Sequence, residues 1–140
     1  MIFDILELPI TMSEVLSLLE ESHPCPPITS DRFHSIIHQL PTNQKIFVYS
    51  NGGLTLGIGS FMVEQRLTHG GGKVAHITDL VVNDEAPAGA AEELLLRIIE
   101  ESRGRGCCRA VSPIRDKYKS SFKGLGFTVL QNHHVLVIHQ

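Results

Sequence analysis

The chain is short of positive charge. Its 12 Lys and Arg stand against 15 Asp and Glu, for a formal net charge of -3 at pH 7, and the pI is about 6.2. It therefore offers no basic field for nucleic acid or an anionic lipid surface. No apolar run approaches the roughly 20 residues that a membrane span needs. The first residues, MIFDILELPITMSE, show neither a basic leader nor a cleavage site, so a cytoplasmic protein is expected. Cysteine is scarce: Cys25, Cys107 and Cys108 cannot all pair within the chain. Two neighbours on one strand point to opposite faces, so reduced thiols are expected. Internal repeats and low-complexity linkers are missing as well. With 140 residues, 42% of them hydrophobic and 19% charged, the chain reads as one domain spanning 1–140, its core large enough to need neither metal nor disulfide.

What is present is organised around Lys73 to Ile99. Val74 to Val82 reads as a strand apolar on both faces, with Val74, Leu80 and Val82 on one and Ala75, Ile77 and Val81 on the other, which places it mid-sheet. A short turn, 83–89, leads into an amphipathic helix from Ala90 that carries Ala91, Leu94, Leu95 and Ile98 on one face and ends at Arg103–Gly104. The free N–H groups of that helix start, with the positive end of its dipole, form a site suited to a phosphate.

Around this unit the spacing predicts a first strand over Ile2 to Leu8, stopped by Pro9. A helix follows, opened by the Thr11/Glu14 capping box and ended near Ser22 by Pro24, Pro26 and Pro27. A second helix, capped at Thr29 or Ser30, carries the stripe Phe33, Ile36, Ile37 and Leu40 and stops at Pro41. Lys45 to Ser50 and Leu54 to Glu64 read as a hairpin joined by Asn51-Gly52-Gly53, and Gly70-Gly71-Gly72 leads into the central strand. Cys107 to Val111 is expected as a buried strand, Asp116 to Lys123 as a short polar helix, and Phe127 to Leu130 and His134 to His139 as closing strands.

This order of elements is similar to that of the GNAT acyltransferases. Val63-Glu64-Gln65-Arg66-Leu67-Thr68-His69 with Gly72 to Val82, then Gly106-Cys107, then Phe122-Lys123-Gly124-Leu125-Gly126-Phe127, resemble the ERKxIH, GHIEDVVV, GC and FYEKCGF segments of the glucosamine 6-phosphate N-acetyltransferase family. The resemblance implies an α+β GNAT fold, a mixed, mostly antiparallel twisted sheet of about six or seven strands with about four helices. It implies acetyl transfer from acetyl-CoA to the amine of glucosamine 6-phosphate on the way to UDP-N-acetylglucosamine. It also implies a homodimer whose final strands and second subunit complete the sugar site.

Residue by residue, the resemblance implies that Arg66 and His69 hold the sugar phosphate, with His23 and His139 on the same side, and that Thr78 and Asp79 face the reacting amine. Asp79 would hydrogen-bond that amine, while Thr78 stands where the family has Glu. Leu80, Val81 and Val82 would offer backbone groups to the thioester and pantetheine. Ala88, Gly89, Ala90 and Ala91 would receive the diphosphate, although Ala86 stands where Arg or Gln is expected and Pro87 removes one donor. Phe122 takes the place of the family tyrosine in the cofactor site, so either Tyr118, one turn earlier, is the acid for the departing thiolate or the step proceeds without an acid, a thiolate being a fair leaving group.

Elsewhere, His34-x-x-x-His38 has helical ligand spacing but no carboxylate or cysteine at the usual offset, so no metal is expected. Five departures, Thr78, Ala86, Pro87, Pro113 and Phe122, keep two alternatives open: a catalytically degenerate GNAT-fold binding or regulatory protein, and an N-acetyltransferase for another amine.

Overall fold

The structure is a computed structural model that describes residues 1–7, 12–21, 26–68 and 70–138. The Thr11 half of the expected capping box and Cys25 lie outside the described residues. In chain order the elements are β1 (Ile2–Asp4), α1 (Met12–Glu20), α2 (Ser30–His38), β2 (Gln44–Asn51), β3 (Leu54–Gln65), β4 (Lys73–Val82), α3 (Ala90–Gly104), β5 (Cys107–Pro113), α4 (Lys119–Gly124), β6 (Thr128–Leu130) and β7 (His133–Val137), with 3-10 turns at Ile5–Glu7 and Asp116–Tyr118. The seven strands form one sheet in the order β1-β2-β3-β4-β5-β7-β6. All pairs are antiparallel except β4 with β5. The expected α+β plan holds, with β4 at the centre.

Two cores flank this sheet. On one face α3 buries Ala91, Leu94, Leu95 and Ile98 against Phe47, Phe61, Ala75 and Ile77, and Phe122 and Phe127 join them. On the other, Val15 and Leu18 of α1 and Phe33 and Ile37 of α2 pack on Val48, Ile58 and Val81. Burying apolar side chains at about 25 cal/mol per Å² is what fixes both helical layers to the sheet. α3 sits close because β3 presents glycines to it: a Cβ at Gly57 would lie 3.1 Å from Leu94 Cδ1, and one at Gly59 3.2 Å from Ile98 Cδ1. The hairpin between β2 and β3 turns at Gly52 (φ 60°) and Gly53 (φ 83°), both in the left-handed region that a two-residue turn of this kind requires.

Four expectations are corrected. The first strand stops at Asp4 because the Asp4 carboxylate accepts the Leu6 amide at 3.0 Å, which diverts the backbone into a tight turn. Ile36 of α2 is exposed, since the buried stripe needs only Phe33 and Ile37. Tyr118 closes a 3-10 turn and α4 begins only at Lys119. Lastly, the two faces of β4 are not those of simple alternation. Ser60 pairs with Asp79 and Phe61 with Ile77, leaving Thr78 as a bulge. The extra residue flips the parity, so Leu80 and Val82 share the α3 face with Ala75 and Ile77, and Val81 faces α1.

Candidate active site

β4 and β5 pair only from Lys73 opposite Cys107 to His76 opposite Val111. Beyond that point β5 continues with β7 as far as Pro113 opposite His133, while β4 continues with β3 to Val82. The two strands part like a fork. The Asn83 amide donates to Leu56 O on β3 at 2.8 Å, so by alternation the N–H and C=O groups of Leu80 and Val82 face the fork. Among the described residues no strand lies opposite Leu80 there.

The turn after β5 fills the side of this opening. The Val82 amide donates to the Tyr118 hydroxyl at 2.8 Å. Lys117 Nζ reaches Val82 O at 3.4 Å and pairs with Asp84 at 3.2 Å, and that pairing raises its pKa. Arg115 donates from Nη2 to Thr78 O at 3.1 Å and from Nε to Ser112 Oγ at 3.1 Å. Burial pushes the Arg115 guanidinium below its ordinary value, and the charge of Asp79 opposes that shift. These groups surround a cleft of about 350 Å³, bounded by Leu80, Val81, Arg115, Asp116, Lys117, Tyr118 and, from the end of α1, Glu21, so that two cations and two carboxylates line it.

The bulge determines where Asp79 points. Two consecutive side chains, Thr78 and Asp79, turn toward Ser60 of β3. The Ser60 hydroxyl donates to Asp79 Oδ2 at 2.7 Å and lies 2.6 Å from Thr78 Oγ1. Asp79 is thus oriented, half-buried and next to Leu80. A carboxylate held this way accepts a hydrogen bond from an amine, and the open Leu80 amide can donate to an oxyanion.

At the other end of the fork, α3 starts at Gly89, whose φ of 91° is left-handed, with no side chain capping the helix. The amides of Ala91 and Glu92 have no protein acceptor among the described residues, and Ala88 and Gly89 are exposed. Two of the acidic neighbours are engaged: Asp84 by Lys117, and Glu92 by Ser121 Oγ at 2.9 Å. The amides therefore stand open to an anion such as a diphosphate.

The sequence-predicted residues fall into three groups. Leu80, Val81 and Tyr118 line the cleft; Thr78 and Asp79 adjoin it on β4 with their side chains on Ser60, Val82 meets it through its backbone, and Ala88 to Ala91 follow β4 at the start of α3. Phe122 is fully buried between Phe127 and His134, ring centroids at 4.9 and 4.2 Å, and serves as core behind the site. Arg66 is not brought to Asp79 within one chain. It lies six residues along β3 from Ser60, about 20 Å of strand, where its Nε pairs with Glu64 at 2.8 Å. That contact, with His76 also on Glu64 at 3.1 Å, lowers the Glu64 pKa. His23, His69 and His139 lie outside the described residues.

Ser60, Lys117 and above all Arg115 are additions that sequence reasoning missed. Their one signal is position: Ser60 pairs across from Asp79, and Arg115 follows the end of β5.

No protein-family profile matches the sequence. Among solved structures, an acetyltransferase of Trypanosoma brucei superposes with a TM-score of 0.78 at 24% identity, over 94% of both chains. Glucosamine-6-phosphate N-acetyltransferase from Arabidopsis thaliana gives 0.78 at 18% identity, over 94% of this chain and 92% of that one. The fold is that of the GNAT acetyltransferases. A more distant GNAT-fold match is a NatC complex bound to Gag peptide and CoA, with a TM-score of 0.68 at 13% identity. By sequence, the chain is 28% identical over 115 residues to glucosamine 6-phosphate N-acetyltransferase of Trypanosoma brucei brucei, covering 81% of this chain and 78% of that protein. It is 27% identical over 118 residues to glucosamine 6-phosphate N-acetyltransferase 1 of Oryza sativa subsp. japonica, covering 80% and 72%.

Proposed function

We propose that this GNAT-fold protein transfers acetyl from acetyl-CoA to the amine of glucosamine 6-phosphate, in the synthesis of UDP-N-acetylglucosamine, and does so as a homodimer. The observation that carries the reading is the fork, which holds an oriented carboxylate, an open strand edge and uncapped helix amides in one line. The relatives' names supply the acceptor. The turn and helix start from Ala88 to Ala91, with the open amides of Ala91 and Glu92, hold the diphosphate, with Lys117 as a cation toward that end, and the edge at Leu80 to Val82 takes the pantetheine amides.

Asp79 receives a hydrogen bond from the neutral amine and orients its lone pair toward the thioester carbon. As the new C–N bond forms, the Leu80 amide donates to the carbonyl oxygen where negative charge gathers. When the C–S bond breaks, Tyr118 is placed to protonate the sulfur, because its oxygen accepts from the Val82 amide at 2.8 Å and only a long 3.5 Å contact to Val82 O competes for its own hydrogen. The proton lost by the amine passes by way of Asp79 to water. The dimer reading rests on the last strands, where Val129, Leu130 and Val137 are half or more exposed at the sheet edge, more apolar surface than an edge left to water commonly carries.

The test is release of free thiol from acetyl-CoA on addition of glucosamine 6-phosphate, with calorimetry for each substrate. Turnover with both is the expected result. Binding of acetyl-CoA alone points to another acceptor, and binding of neither leaves only the scaffold.

A further inference from the structure

Arg115 is a half-buried guanidinium with no carboxylate in ion-pair range among the described residues. Two of its edges are fixed, Nε on Ser112 Oγ and Nη2 on Thr78 O. Ser112 is itself fully buried, so the anchor does not move. The backbone amide of Arg115 is in turn directed at Nε2 of the buried His134 at 3.4 Å. This leaves the Nη1 end, with its two N–H donors, to the cleft it lines beside Leu80 and Val81. A positive charge held in place, partly stripped of water and in no direct ion pair is what an incoming anion neutralises.

Two anions could in principle take that place, and position separates them. The open α3 amides lie beyond Val82, while Arg115 touches Thr78. Thr78 and Val82 are four steps apart on β4, about 13 Å of strand, and Lys117, not Arg115, stands at the Val82 end. Arg115 is instead the cation beside Asp79, on the side where the amine binds. The amine and the phosphate of a hexosamine phosphate sit on one sugar ring, and Arg115, which bonds the carbonyl of the residue before Asp79, is the cation that one chain brings to that side, whereas Arg66 is not brought there within one chain.

Resting on the acetyl-transfer reading above, we propose that Arg115 binds the phosphate of the acceptor and so selects phosphorylated over unphosphorylated hexosamine, the place that sequence resemblance gives to Arg66. Arg115 then forms two roles into one unit: its fixed edges hold the bulge carbonyl of Thr78, and its free edge holds the substrate.

The experiment compares wild type, Arg115→Ala, Arg115→Lys and Arg66→Ala with glucosamine 6-phosphate, with glucosamine, and with acetyl-CoA varied in turn. For Arg115→Ala the KM for glucosamine 6-phosphate is expected to rise roughly 30- to 100-fold, the scale of a lost charge-assisted pair. Its kcat should fall by no more than about tenfold, because the bulge loses one donor at Thr78 O while Ser60 still orients Asp79; its KM for acetyl-CoA should be unchanged, and its preference for the phosphorylated sugar should vanish. Arg115→Lys, which keeps the charge but loses the fork of donors, should restore about a tenth of the loss or more. The proposal is overturned if the KM for glucosamine 6-phosphate is unaffected, if the KM for acetyl-CoA rises instead, if kcat alone falls, or if Arg66→Ala carries the loss. Should wild type show no turnover, calorimetry with glucosamine 6-phosphate decides. Binding that Arg115→Ala abolishes upholds the anion site while the transfer reaction fails, and no binding by wild type overturns both.

Discussion

Tyr118 holds a hydroxyl where the proposed transfer would use one, and Phe122 has none to offer. The Phe122 ring is enclosed by Phe127 and His134, whereas the Tyr118 oxygen reaches the Val82 amide in the fork. Tyr118→Phe should therefore lower kcat roughly 10- to 100-fold, at the low end of what one positioned acid contributes because a thiolate already leaves readily, with little change in the KM for glucosamine 6-phosphate. Thiol-release kinetics check this, and unaltered turnover would remove Tyr118 from the reaction. His134 makes a different prediction. Burial lowers its pKa, aided by Lys119 and Arg115 and opposed by Asp116. The unfolded chain then binds the proton more readily than the folded one, so stability is intact above the ordinary histidine pKa of about 6.5 and is lost as pH falls through the lower folded value. Thermal melts between pH 8 and pH 5 should show this loss, and His134→Gln should flatten it. At this scale Asp79 was readable from its motif. Arg115 was not, because in Ile114-Arg115-Asp116-Lys117 it looks like one more solvated charge, and only the parting of two strands around it gives it a cleft to face.

The strands and helices themselves were largely legible, since periodicity and the glycine and proline stops mark them. What alternation could not reveal was the bulge at Thr78, because a run apolar on both faces reads the same with or without a shift in parity. The shift matters, for it turns Thr78 and Asp79 together onto Ser60 and returns Leu80 to the α3 side. The close seat of α3 was equally hidden in the spacing of Gly57 and Gly59. A Cβ at Gly57 would meet Leu94 at 3.1 Å, Tyr49 Cβ at 3.3 Å and Val82 at 3.4 Å, so Gly57→Val should cost about 1–3 kcal/mol through overpacking. In a chain of this size that is a drop in melting temperature of roughly 3–10 °C, readable by calorimetric melts. Because α3 carries the open amides, the same variant should also weaken acetyl-CoA binding.

For the molecule as a whole, the order β1-β2-β3-β4-β5-β7-β6 leaves β6 on an outer edge with Val129 and Leu130 exposed. Leu130→Asp should move the protein to the monomer position in size-exclusion chromatography with light scattering, and, if the second subunit completes the acceptor site, turnover should fall with it. A dimeric mass unchanged by this variant would place the interface elsewhere. The sequence pointed to the final strands only by resemblance, since an exposed valine and a buried one look alike until the sheet order is known. The fork has a further consequence. β5 leaves β4 because β7 takes up its other edge as far as Pro113, so the opening is wedged by the surrounding architecture and exists before anything enters it. Docking then requires no prying apart of neighbours, and stopped-flow mixing with acetyl-CoA should give a single exponential whose rate climbs linearly with concentration and never levels off, as for a key entering a lock already cut.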